Sequence, residues 1–179
     1  QRQMCIRDRS LLTALSDLSS SDKKNIEQYQ NIIEGPNWLD KRNEDRLYKN
    51  REPEVIVVGS GQAGLSIAAR LKQQNIDTLI VDKNERIGDN WRNRYHSLKL
   101  HNQTHVNHLP YMPFPSTWPT YIPKDKLAGW FEYYVESMEL NAWTNTKFIG
   151  AEYYENKKHW KVKLKLSDGT IKIMKPKHI

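Results

Sequence analysis

Four apolar residues, Val55-Ile56-Val57-Val58, run straight into Gly59-Ser60-Gly61-Gln62-Ala63-Gly64, an apolar helical stripe follows, and a second apolar run ends on Asp82. This order narrows the fold more than any other feature of the chain. Strand, glycine turn and helix in succession make a cradle for a dinucleotide. The glycines remove side chains where the chain turns tightly, where backbone meets pyrophosphate and where helix packs on strand. The helix N-terminus turns free N–H groups and the positive end of its dipole toward the phosphates. Three spaced glycines alone are weak evidence, because glycine occupies many turns. The preceding strand, the following helix and an acid about twenty residues on supply the context that the motif needs.

The flanking elements read consistently. Residues 55–58 form a short continuous apolar run, as expected of a strand covered on both faces in a parallel sheet. Leu65, Ala68 and Ala69 share one helical stripe, small enough for close approach to the sheet, and Asn75 is a stop. Residues 78–81 make the second strand. Asp82 at its end is placed to accept hydrogen bonds from both ribose hydroxyls, and an acid there argues against a 2′-phosphate at this site.

Beyond Asp82 the pattern departs from an NAD-type half-domain, which would return to the sheet through another compact helix. Instead Arg86-Ile87-Gly88-Asp89-Asn90-Trp91-Arg92 leads into a long excursion with Ser97-Leu98-Lys99-Leu100-His101 and Leu109-Pro110-Tyr111-Met112-Pro113-Phe114-Pro115. These segments, together with residues 121–126, resemble the flavin-containing monooxygenases, and the resemblance covers about residues 54–179. The family's Gly-Gly-x-Trp stands here as Gly88-Asp89-Asn90-Trp91.

The resemblance implies an α/β fold: a Rossmann-like FAD-binding domain with a parallel sheet and an antiparallel β-meander, truncated before the nicotinamide-binding part. It implies FAD contacts at Gly59, Gly61, Gln62, Ala63, Gly64, Asp82, Lys83, Trp91 and His101. Two positions depart from the family. Asp82 stands where many members have Glu, and Asp89 replaces the second glycine, which puts the local backbone geometry in question. For the full-length relative the resemblance implies NADPH or NADH as reductant, with one oxygen atom of O2 passed to a small organic substrate. No side chain is named as catalytic acid, base or nucleophile. A second glycine fingerprint is absent, and Lys177-His178-Ile179 reads as the start of a strand that pairs beside residues 54–58. The fragment is therefore expected to bind FAD weakly and not to turn over.

Three alternatives share parts of this pattern. A flavin amine hydroxylase would use the same chemistry. A flavin disulfide reductase shares the first fingerprint but needs a redox cysteine pair, and Cys5 is the sole cysteine. A basic module for nucleic acid or an acidic partner would draw on the net charge of +7. Much of that charge alternates with apolar residues, Lys161, Lys163 and Lys165 between Trp160, Val162, Leu164 and Leu166, which reads as the solvated face of a strand. No nucleic-acid partner is expected, and the oligomeric state is open.

Elsewhere, Leu127, Trp130, Phe131, Tyr134 and Met138 mark one face of a helix beginning after Pro123. Residues 140–144 follow as a third parallel strand. Residues 148–154, 160–166 and 170–174 form the meander, with Asp168-Gly169 as a hairpin turn. Tyr111, Phe114, Trp118 and Tyr121 fit a buried loop. His101, His105 and His108 do not make a metal site, because Asn102, Gln103 and Thr104 are poor helix formers and no carboxylate or thiolate completes a ligand set.

Residues 1–10 read as a non-native or disordered terminus, and residues 11–53 as a polar, partly helical arm. In that arm Ser19 to Asp22 cap a segment reaching Glu34, and a surface helix over 37–51 follows Gly35-Pro36. No apolar stretch approaches a membrane span, so a soluble, cytoplasmic protein is the default expectation.

Overall fold

The computed structural model describes residues 35–179, and the chain divides into two compact units between Leu47 and Tyr48. Both the reading of residues 1–10 and the helical segment ending at Glu34 lie outside the described residues. The described part of the first unit is helix α1, Trp38–Arg46. A capping box opens it: the Asn37 side chain accepts the Asp40 N–H at 3.0 Å, and the Asp40 carboxylate accepts the Asn37 N–H at 3.2 Å. Trp38 and Leu39, the apolar residues expected to pack, are exposed, and the helix stops at Arg46, short of the expected end at Arg51.

The second unit is built around a parallel sheet of β1 (Val55–Val58), β2 (Thr78–Val81) and β3 (Asn141–Trp143), in that order. Helix α2, Gln62–Gln73, carries the chain from β1 to β2. It ends where the sequence expects. Asn75 is left-handed at φ 57°, its N–H donates to Lys72 O, and the Ile76 N–H donates to Leu71 O, so the last carbonyls of the helix are satisfied. A single turn, α3 (Asp89–Arg92), and a longer helix, α4 (Lys124–Ser137), flank the proline-rich excursion.

Alternation along the strands sends successive side chains to opposite faces of the sheet. On one face Ile80 packs with Leu65, Ala68 and Ala69 of α2 and with Leu127, Phe131, Tyr134 and Val135 of α4. On the other, Ile56, Leu79 and Val81 meet Val162, Leu164 and Met174 of the meander. The meander itself is β4 (Lys147–Tyr154), β5 (His159–Lys165) and β6 (Ile171–Met174), antiparallel throughout. Its last hairpin turns at Gly169, φ 86°, where the Leu166 N–H donates to Thr170 O and the Asp168 carboxylate accepts from the Thr170 N–H and hydroxyl. Lys163 and Lys165 are exposed while Val162 and Leu164 are buried, so the expected wet lysine face is present.

At the other edge of the parallel sheet His178 bridges Val55 in parallel. The Ile56 N–H donates to His178 O at 3.1 Å and the Lys177 N–H to Glu54 O at 2.9 Å. The strand expected to begin at Lys177 therefore already pairs with the first half of β1, while Val58 at the far end stays half exposed. No helix among the described residues is long and apolar enough to cross a membrane.

Candidate functional site

The turn from β1 into α2 is shaped by two distinct demands on glycine. Gly59 is left-handed at φ 99°, and its N–H donates to Val81 O at 2.8 Å, tying the turn to β2. At Gly64 the constraint is space: a Cβ there would collide with the Gly59 carbonyl and press Val57 Cγ1 at 3.3 Å. Gly61 differs from both. Its backbone, φ −75° and ψ −179°, is open to any residue, and a Cβ would meet only Asn90 Nδ2 at 3.4 Å.

The missing side chain at Gly61 leaves room over the first turn of α2, where the N–H groups of Gln62, Ala63 and Gly64 have no partner within the helix. That combination of room, free donors and helix dipole suits an anion. Gln62 Nε2 donates to Asn107 O at 3.2 Å, which fastens the excursion to the cradle, and Ala63 is exposed.

Asp82 lies directly after β2 and is almost fully buried. Its backbone is held by β3 and the residues after it, through Asp82 N–H to Trp143 O and Thr146 N–H to Asp82 O. The carboxylate turns toward the glycine loop. Oδ2 accepts from both the N–H and the hydroxyl of Ser60, each at 2.6 Å, and Oδ1 accepts from the Asn84 N–H at 2.8 Å. The strand-end position of Asp82 agrees with the sequence pattern, and its partner Ser60 is an addition from the folded geometry. A hydroxyl between two turn glycines, opposite an acid with a short side chain, was the available signal. Lys83 is exposed beside it.

The departure at Asp89 has a physical resolution. Gly88 carries the left-handed conformation, φ 90°, and a Cβ there would stand 2.5 Å from Ala128 O, so the first glycine of the pair is required by α4. Asp89 is already helical, and its side chain is put to use. Its carboxylate accepts the Arg86 N–H at 3.0 Å and pairs with Arg92 at 3.0 Å. Arg92 also donates to Ile87 O and pairs with Glu132 of α4 at 2.6 Å, while Arg86 holds the same Glu132 at 3.0 Å. Lys124, nearly buried, donates to Arg92 O at 2.9 Å. Helix α3 is thus clamped on α4 by a connected set of charges.

On this clamped turn, Asn90 Oδ1 and Trp91 Nε1 are buried without a hydrogen-bond partner among the described residues. Asn90 is the side chain that meets Gly61. Buried polar groups left unmet are uncommon and costly. Of the two, Asn90 lies beside the first turn of α2, and Trp91 packs against the core of α2 and α4.

Residues 98–104 run back along residues 120–124, with Leu100 N–H on Ile122 O, Lys124 N–H on Leu98 O and Thr104 N–H on Thr120 O. His101 is exposed on this segment. The aromatic loop divides where it was expected to be buried throughout. Phe114 stacks on Trp118 at 5.0 Å and both touch Trp130 of α4, whereas Tyr111 and Tyr121 are exposed. Tyr111 takes a left-handed backbone at φ 68°, and its neighbour Met112 packs against the core instead. His108 has a structural role there: its Nδ1 accepts the Phe114 N–H at 2.9 Å.

The sequence from 57 to 115 matches the model of the NAD(P)-binding Rossmann-like domain. An uncharacterised CzcO-like oxidoreductase of Geobacillus kaustophilus is 42% identical over 102 residues, which is 55% of this chain and 28% of that protein. The probable indole-3-pyruvate monooxygenase YUCCA3 of Arabidopsis thaliana is 34% identical over 109 residues, 60% of this chain and 25% of the relative. The chain thus spans between a quarter and a third of the length of these relatives. Among solved structures, the bacillithiol disulfide reductase of Bacillus cereus shares the fold at a TM-score of 0.65 and 15% identity, over 71% of this chain and 38% of that one. A flavin-containing monooxygenase of Stenotrophomonas maltophilia does so at 0.57 and 20% identity, over 68% and 36%.

Proposed function

We propose, of a chain that is a relative of the flavin-containing monooxygenases, that residues 54–179 hold FAD for an NAD(P)H-using oxidoreductase that inserts one oxygen atom of O2 into a small organic substrate. The pyrophosphate lies over Gly61 and the first turn of α2, between Gly59 and Gly64. The adenosine ribose lies at Asp82 and Lys83, and Gln62, Ala63, Trp91 and His101 complete the lining. Bound there, FAD supplies hydride acceptance and the reaction of reduced flavin with O2.

What the chain's own residues contribute is holding and orienting. The α2 N–H groups take the phosphates, Asp82 takes ribose, and the clamp of Asp89, Arg92 and Glu132 fixes the turn that presents Asn90 and Trp91. The choice of monooxygenase chemistry rests on sequence likeness, because disulfide reductases share this fold. Turnover is assigned to the complete protein. The 179 residues alone bind FAD weakly and do not turn over, since no second nucleotide fingerprint lies among them.

The observation that carries the reading is Gly61, a position whose backbone tolerates any residue and whose open space faces free N–H groups. Gly61→Val fills that space without straining the chain. It should weaken FAD binding, followed by flavin fluorescence, by at least about tenfold while the far-UV circular dichroism is unchanged. Equal affinity in a folded variant would remove the cradle from the proposal.

A further inference from the structure

Ser60 limits what Asp82 can read. A carboxylate offers about four lone-pair sites, two on each oxygen. Ser60 takes both sites on Oδ2 through its N–H and its hydroxyl, at 2.6 Å each, and Asn84 takes one on Oδ1. Both Ser60 and Asp82 are buried, at 2% and 6% exposure, so these bonds are not traded with bulk water. The backbone around them is fixed independently, by Gly59 N–H on Val81 O and Asp82 N–H on Trp143 O, so the carboxylate cannot swing away as a unit with its strand. One acceptor site on Oδ1 remains.

Resting on the dinucleotide reading above, we infer that Ser60 is a specificity-determining residue: by occupying Oδ2 it restricts Asp82 to a single ribose hydroxyl of the adenosine half. An unencumbered acid at this position would accept both. The Ser60 N–H bond is a backbone constraint that any residue would retain. The hydroxyl bond belongs to serine, so substitution releases one site on Oδ2 and opens it to the second ribose hydroxyl.

The experiment measures the dissociation constants of ADP, 2′-deoxy-ADP and 3′-deoxy-ADP by calorimetry for the 179-residue chain and for Ser60→Ala. Ser60→Cys, close in shape and a weak donor, serves as a second variant should alanine disturb the fold. In the unsubstituted chain one deoxy ligand should bind within about twofold of ADP and the other about tenfold more weakly, the worth of a hydrogen bond to a charged acceptor. In either variant both deoxy ligands should fall about tenfold below ADP. A merely structural role for Ser60 would weaken all three ligands together and leave their ratios alone, which overturns the inference. Two penalties already present in the unsubstituted chain overturn it as well. Failure of ADP itself to bind that chain removes the dinucleotide reading, and the inference with it.

Discussion

Gly64 and Gly61 are glycines for opposite reasons, and the difference is measurable. At Gly64 a methyl group has nowhere to go, because the Gly59 carbonyl fills its place and both belong to rigid backbone. Gly64→Ala should therefore destabilise the second unit by about 3 kcal/mol, lowering Tm by roughly 10 °C in a thermal melt, with or without cofactor. An unchanged Tm would mean that the close packing of α2 on β1 is wrong. Asp82 needs similar care as a probe. Removing its carboxylate strands two donors of Ser60 and one of Asn84 in a buried place, so alanine there reports on the loop as much as on ribose. The glycine spacing and the terminal acid were legible as residue types at fixed intervals. The partner of the acid was not, because a serine in a turn has many uses and only the folded distance singles one out.

Among the elements, α4 ties α3 and the aromatic loop to the core of the parallel sheet. Its apolar stripe of Leu127, Phe131, Tyr134 and Met138 was readable from helical spacing alone, as were the three strands of the meander from alternation. Its polar partners lay beyond that reading. Glu132 and Lys124 serve α3 from 40 and 32 residues away, separations at which sequence pattern carries no signal.

Tyr134 reaches the aromatic loop by donating its hydroxyl to Pro110 O at 2.9 Å, and burial pushes its pKa up to about 12. A raised tyrosine favours the folded state while protonated. This contribution is complete below the ordinary value near 10 and is lost as pH climbs from there to about 12. Tyr48, raised by burial and by its hydrogen bond to Asp77, acts in the same direction. Urea midpoints should stay level up to about pH 10 and then fall, and Tyr134→Phe should cost roughly 1–2 kcal/mol at pH 8 while making the alkaline fall shallower. A fall of equal steepness in the variant would assign the alkaline loss to other groups.

For the molecule as a whole, the pairing at His178 joins the two ends of the second unit. Strand β1 has β2 on one side and the residues after the meander on the other, so the meander is an insertion between neighbours of the same sheet. Deleting residues 177–179 should remove three backbone hydrogen bonds and the 3.0 Å pair of Lys177 with Glu54, cost roughly 1–3 kcal/mol, and leave the free edge of β1 open to other chains. Sedimentation velocity should then show concentration-dependent association absent from the unshortened protein; a monomer of unaltered stability would show that the contact carries no weight. The same closure has a cost in time. Glu54 and Lys177 are 123 residues apart, so at a synthesis rate of roughly 5–20 residues per second the strand bearing the glycine turn leaves the ribosome some 6–25 s, roughly, before its second neighbour exists. During that interval one side of the nascent sheet is an unfinished seam, available to chaperones and to misplaced strands alike.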